Sequence, residues 1–153
     1  MKKSAKPITI LMADDDQDDC LLVQDAFRQS RLANDLHFVK DGEDLMDYLY
    51  GRGAYAAKSK HARPGLILLD LNMPKKDGRE ALREIKSDSD LRSIPVVVLT
   101  TSKAEEDILR SYDTGANSFI TKPVTFEGLV ELIRSLGEYW FEIVELPNGR
   151  MGK

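Results

Sequence analysis

The sequence predicts an α/β domain in which a parallel sheet is covered by helices on both faces. Three observations predict it. Short apolar runs recur along the chain without the polar alternation of a half-exposed strand, which suits strands buried on both faces. Between them, apolar residues recur at helical spacing. The two kinds of segment alternate five times, the mark of successive βαβ units. With 153 residues the chain reads as one domain over 1–153, its core from about 8 to 135.

Ile8 to Ala13 reads as the first strand, with Asp14, Asp15 and Asp16 directly behind it. A helix follows from about Gln17 to Gln29 on the stripe Leu21, Leu22, Val23, Ala26 and Phe27, with Asp16 as its N-cap. Asp18 and Asp19 fall in its first turn, where the helix dipole favours acids. Leu36 to Val39 is the second strand, and Asp41-Gly42 opens a helix carrying Leu45, Met46 and Leu49. The stretch from Gly51 to Pro64 holds Arg52, Lys58, Lys60 and Arg63 with no acid among them, and reads as a solvated surface loop.

Leu66 to Leu69 is the third strand, and it ends abruptly in Asp70. After Pro74, a helix starts at Asp77-Gly78 with the stripe Ala81, Leu82 and Ile85. Pro95 to Leu99 is the fourth strand, ending in Thr100-Thr101. Ser102 and Glu105 have capping-box spacing ahead of Ile108, Leu109 and Tyr112, a further helix. Ser118 to Ile120 is a short fifth strand before Lys122-Pro123. The last helix starts near Thr125 and extends to about 146.

For five such strands the expected order is 2-1-3-4-5, the flavodoxin-like arrangement, with ligands at the carboxyl ends of strands 1 and 3. Those ends carry Asp14, Asp15 and Asp70. Strand 4 brings Thr100 to the same rim and strand 5 brings Lys122. Like charges packed this closely repel, and a hard divalent cation such as Mg²⁺ would relieve the repulsion. One acid can then act as a nucleophile toward a phosphoryl group, giving an aspartyl phosphate. Asp70, the lone carboxylate on its strand end, is the best nucleophile; Asp14 and Asp15 suit the metal. Lys122 would neutralise phosphoryl oxygens and Thr100 would donate a hydrogen bond to one.

The bulk numbers narrow the classes. The net charge of -4 disfavours general nucleic-acid binding. Cys20 is the one cysteine, so no disulfide forms within the chain. The basic start of the chain lacks the apolar run of a signal peptide, and no apolar stretch approaches a membrane span. A cytoplasmic protein is expected.

Asp14-Asp15 after Ile10-Leu11-Met12-Ala13, the block Leu69-Asp70-Leu71-Asn72-Met73-Pro74-Lys75-Lys76-Asp77-Gly78, Leu99-Thr100-Thr101 and Lys122-Pro123 together resemble the receiver domain of two-component response regulators. The resemblance covers about Ile8 to Ser135. It implies a phosphorelay protein and not an enzyme. Asp70 would accept a phosphoryl group from a histidine kinase, with Mg²⁺ on Asp14, Asp15, Asp70 and the Asn72 carbonyl. Thr100 and Phe119 would form the switch pair and Lys122 would sense the phosphate, its peptide to Pro123 being cis. Where the family often has tyrosine, Phe119 offers no hydroxyl. The 51–64 loop, Lys75 to Arg79, Thr100-Thr101-Ser102 and Gly137 to Trp140 resemble the small stand-alone regulators of bacterial, cyanobacterial-type phytochromes. The donor would then be a phytochrome kinase. With no output domain after Lys153, direct DNA binding is not expected.

Three rivals remain at this point. A flavodoxin-like cofactor binder would want a glycine-rich or hydroxyl-rich phosphate loop after strand 1, where three aspartates would repel a phosphate. A phosphatase of the haloacid dehalogenase type also uses a strand-end aspartate, but needs a second acid where this chain has Asn72. A receiver-like scaffold that is never phosphorylated would not need the acidic set. Finally, Tyr139, Trp140 and Phe141 are consecutive and cannot all face one core, so a two-fold homodimer through the fourth predicted helix, the fifth strand and the last helix is expected.

Overall fold

The structure, a computed structural model, describes residues 8–30, 34–56, 63–70, 78–100, 118–121, 123 and 125–136, with the backbone alone at 118 and 119. Five parallel strands, β1 (Ile10–Ala13), β2 (Leu36–Val39), β3 (Leu66–Asp70), β4 (Val96–Thr100) and β5 (Ser118–Thr121), form one sheet in the order β2-β1-β3-β4-β5. The expected order therefore holds. The helices are α1 (Gln17–Gln29), α2 (Gly42–Tyr50), α3 (Gly78–Ser87) and α4 (Phe126–Leu136). The helix expected over 102–112 and the extension of the last helix beyond 136 lie outside the described residues.

The strands have no polar face because both faces are covered. Leu11, Ala13, Ile67, Leu69, Val96 and Val98 pack on one side with Leu45, Met46, Ala81, Leu82 and Ile85 of α2 and α3. Ile10, Met12, Leu66, Leu68, Val97 and Leu99 pack on the other with Val23, Ala26, Phe27, Val130 and Ile133 of α1 and α4. Successive strand residues thus serve opposite layers, the period of two that a pleated backbone imposes. Each fully buried aliphatic side chain contributes about 1.5–3 kcal/mol by leaving water.

Side-chain caps fix the helix starts. Asp16 accepts from the backbone N–H groups of Asp18 at 2.9 Å and Asp19 at 3.3 Å, as its N-cap role requires. Asp41 caps α2, accepting from Asp44 N–H at 2.7 Å. Thr125 Oγ1 accepts from Gly128 N–H at 3.0 Å at the start of α4. Gly51 ends α2 with φ 67°, a left-handed conformation that glycine takes without a Cβ penalty.

One expectation is corrected. The segment after Gly51 is not merely solvated loop. Gly53–Tyr55 forms a 3-10 turn, and the two described arginines of the segment find acids elsewhere in the chain. Arg52 Nε donates to Asp47 at 2.8 Å and lies 4.9 Å from the Tyr50 ring centroid. Arg63 reaches Asp90 Oδ2 at 3.2 Å, the Asp90 carbonyl at 2.7 Å and Ser93 Oγ at 3.3 Å. Tyr55 packs edge-on against Tyr48, with centroids 5.2 Å apart, and donates to Asp44 at 2.9 Å. Lys58 and Lys60 lie outside the described residues.

Candidate functional site: an acidic rim at the sheet switch point

The site forms where the strands end. β1 pairs with β2 on one side and β3 on the other, so the chain leaves β1 toward β2 through α1 on one face and leaves β3 toward β4 through α3 on the other. That reversal opens a crevice at the carboxyl ends of β1 and β3. Asp14 follows β1 directly and Asp70 is the last residue of β3. The register Ala13↔Leu69 sets them side by side.

Asp14 and Asp70 are 2% and 5% exposed, while Asp15 is exposed. Carboxylate oxygens from all three lie within 4.8 Å of one another. Two buried acids and one exposed acid are a costly arrangement in isolation, because each buried carboxylate loses hydration and meets like charge. Part of the cost is met locally. Asp14 Oδ1 accepts from Asp16 N–H at 2.9 Å, and the N–H of Asp14 itself donates to the Val39 carbonyl at 3.0 Å. A hard divalent cation fits the rest, since three carboxylate oxygens supply its preferred donors and leave room for water.

Thr100 is the last residue of β4 and is wholly buried. Leu99 is the register partner of Asp70, so Thr100 stands one residue further along the adjacent strand. β5 ends level with it, through Thr100↔Thr121. Phe119 pairs through its backbone with Val98. Lys122, with its peptide to Pro123, lies outside the described residues, as do Asn72, Tyr139, Trp140 and Phe141. The structure therefore brings together Asp14, Asp15, Asp70 and Thr100.

One contributor escaped the sequence reading. The backbone of Asp16, placed by its own capping role, orients Asp14. A strand followed by acids and a helix carries that signal, because a capping aspartate turns its N–H back toward the residue two before it. Asp41, 3% exposed, gives β2 a buried carboxylate of its own, which its N-cap position explains.

A doubly wound parallel sheet with three aspartates at its switch point and a buried threonine one strand away defines a receiver-type α/β module. The chain belongs to the response regulator receiver domain family, which matches residues 10–134. It is 42% identical over 145 residues to the response regulator Rcp1 of Synechocystis, covering 95% of this chain and 97% of that one. The crystal structure of the Mn²⁺-bound form of Rcp1 superposes with a TM-score of 0.79, covering 92% of this chain and 99% of that one at 42% identity. The structure of the phosphorylated cyanobacterial phytochrome response regulator RcpA also gives 0.79, at 44% identity, covering 90% and 96% of the two chains. Among the described residues no helix is long and apolar enough to cross a membrane.

Proposed function

We propose that this receiver is phosphorylated on Asp70 by a histidine kinase of the phytochrome class, in a reaction that uses Mg²⁺. The observation that carries the reading is the convergence of Asp14, Asp15 and Asp70 within 4.8 Å at the switch point. A relative solved with Mn²⁺ and another solved phosphorylated support it. The donor class is supported by the likeness to RcpA, itself a phytochrome response regulator.

Asp70 is the nucleophile. One of its oxygens attacks the phosphorus of a phosphohistidine, the new O–P bond forms as the N–P bond breaks, and the imidazole leaves with a proton from solvent. Burial of Asp70 at a strand end holds the attacking oxygen in place and limits the water that would hydrolyse the acyl phosphate. Asp14, Asp15, Asp70 and the Asn72 carbonyl would hold Mg²⁺, which would supply charge neutralisation for the phosphoryl oxygens. Thr100 donates its hydroxyl hydrogen to a phosphoryl oxygen, and Lys122, next after β5, adds the fixed cation. Thr100 moving toward the phosphate frees the space that Phe119 then takes, which is the switch. Phe119 has no hydroxyl to hold either position, so packing alone decides it.

The receiver acts through partner binding and not through turnover. The same reading takes residues 1–153 as one domain in the cytoplasm, with no direct nucleic-acid contact. It assembles as a two-fold homodimer through the fifth strand and its flanking helices, with Tyr139, Trp140 and Phe141 at the contact.

The test is labelling by a phosphohistidine donor, or by acetyl phosphate, with Mg²⁺ present. Wild type becomes labelled and Asp70→Asn does not. Equal labelling of the two overturns the assignment. Repeated turnover of simple phosphate esters by wild type, lost in Asp70→Asn, points instead to the phosphatase reading. Light scattering on wild type and Trp140→Ala decides the dimer, which a monomeric wild type rules out.

A further inference from the structure

We propose that the side-chain amine of Lys86, in the last turn of α3, is acylated by small acyl phosphates such as acetyl phosphate. Lys86 is half-buried and reaches across the turn that joins α3 to β4. Its Nζ donates to the carbonyls of Arg92 at 3.0 Å and Ile94 at 2.9 Å. Those residues flank Ser93 and lead into Pro95, whose carbonyl accepts from the Ile67 N–H at 3.0 Å at the start of the β3–β4 ladder.

The geometry suits the neutral amine, the form that attacks an acyl carbon. A neutral amine has two N–H bonds and one lone pair, whereas an ammonium has three N–H bonds and no lone pair. The two carbonyls take two hydrogens. In the neutral form the lone pair occupies the position left over. In the ammonium form the third hydrogen has no protein acceptor among the described residues. No carboxylate among them pairs with Lys86 either. Glu84 and Asp88 engage the Tyr50 hydroxyl, Asp88 also accepts from the N–H groups of Asp90 and Leu91, and Asp90 pairs with Arg63. Burial without an acid partner holds the amine below its ordinary 10.5. Lysines desolvated in this way are nucleophiles nearer to neutral pH.

The reaction balances without a further reactant. The amine lone pair attacks the acetyl carbon and the C–N bond forms. The bond from that carbon to the bridging oxygen breaks, inorganic phosphate leaves with the electron pair, and the amine proton passes to solvent. The step uses neither the acidic rim nor a metal, so it stands apart from the reaction at Asp70, which attacks phosphorus. The product amide keeps one N–H. One of the two carbonyls therefore loses its donor, and the entry to β4 loosens.

The full chain incubated with acetyl phosphate and a chelator, then digested and quantified by mass spectrometry, tests the idea. Lys86 is expected to gain acetyl groups about fivefold faster than the exposed Lys40, and denaturing urea abolishes that preference. Treatment lowers the urea midpoint of wild type and leaves that of Lys86→Arg, which keeps a cation but offers no amine to acylate, much less changed. Labelling of Lys86 no faster than Lys40, a preference that persists in urea, or an equal fall in midpoint for the two proteins would each overturn the proposal.

Discussion

The two ends of the sheet treat charge in opposite ways. At the carboxyl end, Asp14, Asp15 and Asp70 stand like beside like. At the amino end, unlike groups are matched: Arg63 with Asp90, Arg52 with Asp47, and the Tyr50 hydroxyl with Asp88 at 3.0 Å. Lys86 adds a second clasp there, donating to the carbonyls of Arg92 at 3.0 Å and Ile94 at 2.9 Å. One end uses its charges to fix the chain's own loops. The other gathers three carboxylates that a divalent cation would bridge. A loop-fixing network loses little when binding is abolished, and a binding rim gains stability when one of its members is neutralised.

Substitutions at each end separate the two roles. Asp15→Asn is expected to weaken Mn²⁺ affinity by about tenfold or more, read by electron paramagnetic resonance. It should also raise the melting temperature of the metal-free protein, because a like charge is gone. A lower melting temperature would show that the rim is not held under repulsion. At the other end, Asp90→Asn should leave Mn²⁺ affinity within twofold and lower stability slightly, by about 0–1 kcal/mol, since the Arg63 pair is exposed. Asp41 stands at the carboxyl end, just after β2, but outside the acidic triad. Loss of its cap in Asp41→Ala should cost about 1 kcal/mol in urea unfolding, with no direct loss of a metal ligand.

The pH response sharpens the contrast. Burial and the bond to Asp88 raise the Tyr50 hydroxyl to about 12, and burial with the Asp44 bond raises Tyr55 to about 12. Both lie above the ordinary 10.0, so what they contribute is full below pH 10 and is lost as pH rises toward 12. Tyr50→Phe with Tyr55→Phe should flatten that alkaline decline, measured by urea midpoints from pH 9 to 12. Asp88 runs the other way. Backbone N–H donors from Asp90 and Leu91 hold it below 3.8, so its contribution is present above that pH and fades as pH falls through the lowered value. Asp88→Asn should make the acid limb shallower, the smallest of these effects. Unchanged limbs in both variants would remove the amino-end network from the stability of the fold.

Much of this was legible in the chain. The three central strands and α1 announce themselves because a doubly covered strand is apolar almost to its end. α1 falls at the expected Gln17–Gln29 because Asp16 is both the end of the acidic run and a cap. Edges moved slightly: β1 starts at Ile10 and not Ile8, and β4 reaches Thr100, because pairing partners and not hydropathy set where a ladder stops. The rim followed from strand order, since Asp14, Asp15 and Asp70 each sit at a strand end. The loop after Gly51 was harder to read. Its Arg63 pairs with Asp90, far along the sequence, and no local pattern encodes a pair spanning that distance.

The register Ile10↔Leu66 has a consequence in time. β1 sits inside the sheet, yet the strand that completes it emerges far later in the chain, after β2 and α2 are made. Until β3 arrives, one edge of β1 is open and Asp14 has no Asp70 beside it. Closing that long loop is the slow, non-local step for such a topology. The nascent chain therefore cannot hold a working acidic rim before its central strands have met, and a released or truncated intermediate is silent by construction.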